Sequence, residues 1–542
     1  MGSNVDKKID IEETIEQVEA KQIETDEKIN ESKKESKSPV WKCVLSISFI
    51  VLSVALVYLL IWSKYIFGNV PFAQILYHIT VPLAGTDTSI VSSYFIGVAP
   101  WVALSVVIMI LMAVMNHFWK KNCGKEPKKF WGRVWKRIQK INGFLVKRKF
   151  KISSIILIIV LVVNFFGFGI HSWLYGRFDS STIFEDYYVD AATANIKAPE
   201  KKKNLIFILS ESLEASYSDP ENGGCMDKNY IPRLTELAKA NTHFSRNESL
   251  AGAIEVDGTG WTMASMVAQT TGVPLMIPAR RNAYGKYAEF LPGITSMGEI
   301  LEQNGYVNEL LIGSKKEFAG VDKYFGQHGN YEIFDFNTAM EKEYVMYHNG
   351  FWGIEDWDLF QIARDEVSRL ASGDQPFNIM INTIDLHTPG GYRCLACGYE
   401  HEDNYQDIIS CQDRLITKFV AWCEEQDFYE DTVIVVAGDH LSMAPIVKNE
   451  YTPDGYSRSA FNAIINSDLE PVNATNRLFT TMDMFPTILA SLGFEIEGNR
   501  LGLGTNLYSE EKTVMETVGK KEFMEEISKN SKLYNKEILE LK

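Results

Sequence analysis

Apolar and polar positions follow two different rhythms along this chain. Three long apolar stretches come first, at about 43–65, 91–117 and 152–175, each meeting the roughly 20 residues needed to cross the hydrocarbon of a bilayer. Beyond residue 203 the apolar runs shorten. "NLIFILS" from Asn204, "YVNELLIG" from Tyr306, "FNIMINTI" from Phe377, "TVIVVAGD" from Thr432 and "AFNAIINS" from Ala460 read as buried strands, because their branched apolar runs lack the alternation of a half-exposed strand. Between them, "IPRLTELAKAN", "ITSMGEILEQNG", "EDWDLFQIARDEVSRLAS" and "YQDIISCQDRLITKFVAWCEEQ" carry the spacing of amphipathic helices. Strand and helix in alternation predict an α/β fold, a mostly parallel sheet with helices on both faces, preceded by three transmembrane helices.

The same pattern divides the chain. Residues 1–39 mix both charges with few aromatics and read as a disordered tail. Residues 40–176 form the membrane domain, 177–202 a polar connector, 203–509 the folded α/β domain, and 510–542 a charged helical tail read as a solvated helix. The first apolar stretch follows that polar tail and lacks a small-residue cleavage site, so it reads as an uncleaved anchor rather than a signal peptide.

Charge sets the orientation. Between the second and third spans, residues 120–151 carry thirteen Lys and Arg against one Glu, whereas residues 68–90 carry a single Asp. Basic loops stay on the cytoplasmic side, which puts the N-terminus in the cytoplasm and everything after Gly176 outside the plasma membrane. The anionic inner leaflet of the bilayer is the natural partner of that basic loop. The net charge of −16 argues against a nucleic-acid partner. Five cysteines, Cys225, Cys394, Cys397, Cys411 and Cys423, fall in the outer part. "CLAC" has no second CxxC or His pair at zinc-finger spacing, so a disulfide is the expectation there rather than a metal knuckle.

In a parallel sheet, ligands bind beyond the C-terminal ends of the strands. The first strand runs into "SESLE" and places Glu211 there; the fourth runs into "AGDH" and places Asp439 and His440. Two carboxylates and an imidazole at one sheet edge form an oxygen and nitrogen set suited to a divalent cation such as Mn²⁺ or Zn²⁺. "EVDGTGWTMASM" supplies two candidate hydroxyls just before a helix. Thr259 lies between two glycines and reads as a nucleophile. Thr262 competes with it, and by position suits a helix cap. His387 in "NTIDLHTPGGY" can contact a substrate oxygen or carry a proton, with Asp385 to orient it.

Taken in order, "NLIFILSESLE", "DGTGWTMASMVAQTTGVPL", "FAGVDKYFGQHGNYEIFD", "DLHTPGG", "VIVVAGDH" and "TTMDMFPTILASLGFEIEGNRLGLGTNL" resemble the sulfatase-like branch of the alkaline phosphatase superfamily. Within it the chain is similar to the phosphoglycerol transferases, both the lipoteichoic acid synthases and the enzymes that decorate osmoregulated periplasmic glucans. That resemblance implies a metal-bound threonine that takes glycerol phosphate from phosphatidylglycerol and passes it to a glycan or teichoic-acid-like acceptor. It assigns Glu211, Thr259, Asp439 and His440 to the metal, Mn²⁺ with Zn²⁺ or Mg²⁺ as alternatives, and His387 to the substrate. By distance from "GVPL" the nucleophile falls on Thr259 rather than Thr262. Lys323 or His328 is a further candidate for a phosphate contact. The synthases have five spans and Gly-Lys-Thr at the nucleophile; this chain has three and Gly-Thr-Gly, which leaves the acceptor open. A phosphoethanolamine transferase or a sulfatase-like phosphodiesterase is the nearest alternative, and a non-catalytic membrane-anchored binding protein the alternative from another class. A sulfatase proper needs a C/S-x-P-x-R setting that "GTGWTMAS" lacks.

Overall fold

A computed structural model describes residues 40–80, 88–122, 130–276, 289–345 and 353–539. The expected N-terminal tail lies outside these residues. The chain divides into two compact units, one holding the chain up to Tyr58 with Phe95–Asn164, the other Leu59–Tyr94 with Phe165–Lys542.

The N-terminal helices are α1 (Val40–Phe67), α2 (Phe72–Thr80), α3 (Thr88–Asn122), α4 (Phe130–Lys147), α5 (Lys149–Gly167) and α6 (Ile170–Phe178). Three of them, α1, Ser89–Phe118 of α3, and α5, are long and apolar enough to cross a membrane. The third is shorter than its expected 152–175. Gly169 adopts a left-handed conformation (φ 68°) that ends the span and starts α6 separately, a backbone state glycine enters without a Cβ clash. In the first unit the basic segment is largely the amphipathic helix α4, tied to α3 by a 2.9 Å hydrogen bond from Asn142 Nδ2 to the Met112 carbonyl.

The second unit is built on a six-stranded sheet of β1 (Asn204–Ser210), β2 (Val307–Ile312), β3 (Glu332–Phe334), β4 (Phe377–Asn382), β5 (Thr432–Gly438) and β6 (Asn462–Ile465), in the spatial order β3-β2-β4-β1-β5-β6. All neighbours are parallel except β6, which runs antiparallel to β5. Successive side chains of a strand point to opposite faces, and β1 divides accordingly. Leu205, Phe207 and Leu209 join one buried cluster with Ala264 and Val267 of α8 (Thr262–Thr271). Ile206 and Ile208 join the other, which is completed by residues of α7 (Pro232–Ala240), α9 (Asp356–Ala371) and α10 (Asn404–Glu424). Burial on both faces explains why these strands lack alternation in the sequence.

Three segments differ from the expectations. The connector contains a helix, Ile183–Tyr187, with Phe184 buried, and its Ile196–Lys197 pairs with Glu495–Ile496. The charged tail is no solvated helix: Val514, Met515, Phe523, Ile527, Tyr534 and Ile538 enter the core, and the Tyr534 hydroxyl donates to the Pro274 carbonyl at 2.8 Å. Its apolar residues are sparse in sequence but converge on partners far along the chain. The six described cysteines are free thiols rather than disulfides.

Candidate active site

The carboxyl edge of β1 and β5 gathers the ionisable groups. Asp439 follows β5 directly, and its Oδ1 accepts 2.7 Å hydrogen bonds from the backbone N–H of Ser212 and of His440. These bonds stitch the two strand ends together. Glu211, just past β1, donates its backbone N–H to Thr383 Oγ1 at 3.0 Å, and its side chain accepts from Ser212 Oγ at 2.6 Å. His440 is held by a 3.0 Å contact between Nδ1 and the Leu441 carbonyl. With a proton on Nδ1, the lone pair of Nε2 faces inward.

That nitrogen lies 3.3 Å from Asp439 Oδ2 and 3.5 Å from Glu211 Oε1, and all three residues are buried. Asp439 Oδ2 has no hydrogen-bond partner. Burial, then the neighbouring Glu211, pushes the Asp439 carboxyl up to about 8. For His440 burial works the other way, but Asp439 and Glu211 outweigh it and raise the imidazole to about 9. Without a metal the cluster balances its charge by keeping protons on Asp439 and His440, and a divalent cation would take the place of those protons. One ligand atom from each of the three residues falls within 4.8 Å of the others. The donor set fits a divalent cation with mixed oxygen and nitrogen ligation.

The two threonines have different places from those expected. Thr259 is fully buried, and its hydroxyl is spent on its own turn: Oγ1 accepts the Val256 N–H at 3.0 Å and donates to the Val256 carbonyl at 2.9 Å. The expectation that Thr259 joins the metal ligands is therefore corrected. Thr262 faces the cluster instead, donating to Glu211 Oε2 at 3.2 Å with His440 Nε2 at 3.5 Å. Nor is Thr262 the cap of α8; it is the first helical residue, after Trp261.

The flanking glycines serve the turn. Gly258 has φ 80°, and a Cβ on Gly260 would come within 2.7 Å of Glu255 Oε1. Glu255, which the sequence reading passed over, accepts the Leu441 N–H at 2.9 Å and so steadies the residue after His440. The next turn of α8 anchors on the same strand end, where Ser265 Oγ donates to the Asp439 carbonyl and Gln269 Nε2 to that of Gly438 at 3.1 Å.

His387 lines one small cavity together with Glu211, Thr262 and Asn382. Its Nδ1 lies 2.9 Å from the Thr388 carbonyl. Helix α2 reaches the same region: Tyr77 packs on Trp261 at 5.8 Å between ring centroids, and burial, then His387, pushes His78 down to about 4. Asp385 does not orient His387 through its carboxylate, which is engaged by the Cys394 thiol. Lys323 and His328 do not line the cavity; His328 is buried against Glu299 (3.0 Å) and the Phe290 carbonyl (2.6 Å).

The family model for sulfatases matches residues 203–494, over half the chain and all of the sheet. The chain belongs to the sulfatase family. Among curated proteins, this sulfatase-family chain is 30% identical over 336 residues to phosphoglycerol transferase I of Xanthomonas campestris pv. campestris, covering 61% of this chain and 45% of that protein. It is 28% identical over 337 residues to phosphoglycerol transferase I of Escherichia coli, covering 61% and 42%. The chain thus spans less than half the length of these relatives. A solved structure of a lipoteichoic acid synthase from Listeria monocytogenes is similar at 17% identity and a TM-score of 0.45, over 58% of this chain and 79% of that one, a likeness too distant to add to the family assignment.

Proposed function

We propose that this chain is a membrane-anchored, metal-dependent phosphoglycerol transferase, which moves glycerol phosphate from phosphatidylglycerol to a glycan or teichoic-acid-like acceptor outside the plasma membrane. One observation carries the reading: the Thr262 hydroxyl, at the start of a helix, points into the buried cluster of Glu211, Asp439 and His440. The names of the relatives favour glycerol phosphate as the transferred group.

Phosphoryl transfer needs positioning and charge stabilisation more than elaborate covalent chemistry. A divalent cation held by Glu211, Thr262, Asp439 and His440, Mn²⁺ with Zn²⁺ or Mg²⁺ as alternatives, would lower the hydroxyl's pKa and offset charge on the phosphoryl oxygens. Thr262 Oγ1 attacks phosphorus as its proton leaves along the hydrogen bond to Glu211. The bond from phosphorus to the diacylglycerol oxygen breaks, and that oxygen takes up a proton from water while Glu211 holds the threonine's proton. The acceptor hydroxyl then attacks the phospho-threonine and loses its proton to water, and Thr262 regains its own from Glu211. The unpaired N–H groups in the first turn of α8 face the transferred group, and His387 contacts the substrate from across the cavity.

The three spans hold the site beside its lipid donor, which raises the donor's effective concentration. A larger cavity lined by Lys64, Phe72, Phe166, Trp173 and Asp257, where the ends of the spans meet the turn before Thr259, suits the glycerol and first acyl carbons of such a lipid. The basic residues of α4 favour the orientation with the N-terminus in the cytoplasm. The test is release of diacylglycerol from phosphatidylglycerol by the purified full chain with Mn²⁺, in competition with phosphatidylethanolamine. Preferential release from phosphatidylglycerol is expected; preference for phosphatidylethanolamine, or no release from either, overturns the proposal.

A further inference from the structure

A second group of metal-competent side chains lies beside the His387 loop, with a chemistry unlike that of the first. Cys394 Sγ is 3.5 Å from Cys397 Sγ and 3.7 Å from Cys411 Sγ, and the three sulfurs lie within 4.8 Å of one another. All three residues are buried. Cys394 and Cys397 belong to one tight turn, closed by a 3.1 Å hydrogen bond from the Cys397 N–H to the Cys394 carbonyl; Cys411 comes from the buried face of α10.

Asp385 adjoins this group through Cys394. It is 2% exposed, its carboxylate is engaged by the Cys394 thiol, and the other charges acting on it, Asp356 and Glu355, are acidic. Its Oδ1 has no hydrogen-bond partner. A buried carboxylate among acidic neighbours lacks the positive charge that would make its burial affordable.

We infer that Cys394, Cys397, Cys411 and Asp385 form a structural zinc site, separate from the cluster at Thr262. A zinc–sulfur bond of about 2.3 Å gives sulfur–sulfur edges of about 3.8 Å in a tetrahedron, close to the separations found here. A disulfide needs about 2.05 Å and would use only two of the three sulfurs. With the Asp385 carboxylate drawn in beside Cys394, four protein ligands would make a closed site, the arrangement of structural rather than catalytic zinc.

The position gives the ion a task. Asp385 lies two residues before His387, and its carbonyl accepts the Tyr392 N–H at 2.6 Å. Asp356 of α9 accepts the N–H groups of Ile384 and Asp385 at 2.8 and 3.2 Å. Zinc held at this point ties the His387 loop to α10 and fixes the imidazole at the cavity edge.

Cobalt reports on the site without reference to turnover. Full-length protein in detergent, loaded with Co²⁺ in place of zinc, should show the near-ultraviolet sulfur-to-cobalt charge-transfer band of a thiolate site, and His440→Ala should keep that band. Cys411→Ser should lose it, along with one zinc per chain by elemental analysis, and Asp385→Asn should bind the ion more weakly. A wild-type protein without the band overturns the inference whether or not the variants fold. So does a native mass showing a disulfide between any two of these cysteines, or an unchanged zinc content in folded Cys411→Ser.

Discussion

Replacing Thr259 by valine separates the two threonines by their energetics. Valine keeps the shape of threonine but removes the hydroxyl that accepts the Val256 N–H and donates to the Val256 carbonyl. The carbonyl keeps a partner, because the Thr259 N–H also donates to it at 3.1 Å. The Val256 N–H loses its side-chain acceptor in a buried turn, and an unsatisfied buried donor costs about 1–3 kcal/mol. At about 1.5 °C per kcal/mol for a domain of roughly 300 residues, Tm should fall by about 2–5 °C. Thr262→Val should behave oppositely: its hydroxyl faces a polar cluster rather than closing a turn, so Tm should barely change while diacylglycerol release disappears. The assay pairs a melting curve in detergent with release from phosphatidylglycerol vesicles at a temperature where both variants are folded. A Thr259→Val protein with unchanged Tm and no turnover, beside an active Thr262→Val, would refute the assignment.

Other outcomes follow from the same geometry. Arg458 pairs with the fully buried Glu214, with Nε to Oε2 at 2.9 Å, so Arg458→Ala should cost about 3–5 kcal/mol by leaving that carboxylate buried alone, measured by denaturant unfolding. Burial, reinforced by Glu366 and opposed by Arg369, pushes Glu309 up to about 8. Its folded pKa is raised, so the stabilisation it contributes is complete below about pH 4.5 and is lost as pH rises through 8; Glu309→Gln should flatten the fall of Tm across that window. Gly260→Ala should displace Glu255 from the Leu441 N–H, because the new Cβ would come within 2.7 Å of Oε1, and should lower turnover by more than it lowers Tm.

The strands of the sheet were legible wherever burial on both faces wrote a continuous apolar run. β3, three residues long with Glu332 exposed, carries no such run and was missed. The docked tail was missed for a related reason: Val514, Phe523 and Ile527 are scattered among charges, and only the folded chain shows what each one meets. Glu211, Asp439 and His440 could be read because ionisable residues directly after buried strands need partners. The choice of threonine could not be read in the same way. Glycines around Thr259 suggested an open backbone for a nucleophile, yet Gly258 serves a turn with positive φ and Gly260 leaves room for Glu255. Local sequence records that both glycines are needed there, and only the closed turn shows which hydroxyl it consumes. Glu255 was hidden for the same reason, since it acts on Leu441, distant in the chain.

The most direct measurement is the mass of the peptide spanning Thr259 and Thr262 after the full chain has been incubated with phosphatidylglycerol and Mn²⁺ and quenched in acid. A glycerol phosphate adduct is expected, localised to Thr262 by fragmentation and absent from Thr262→Ala. An adduct on Thr259, or a peptide that stays unmodified while diacylglycerol accumulates, would contradict it.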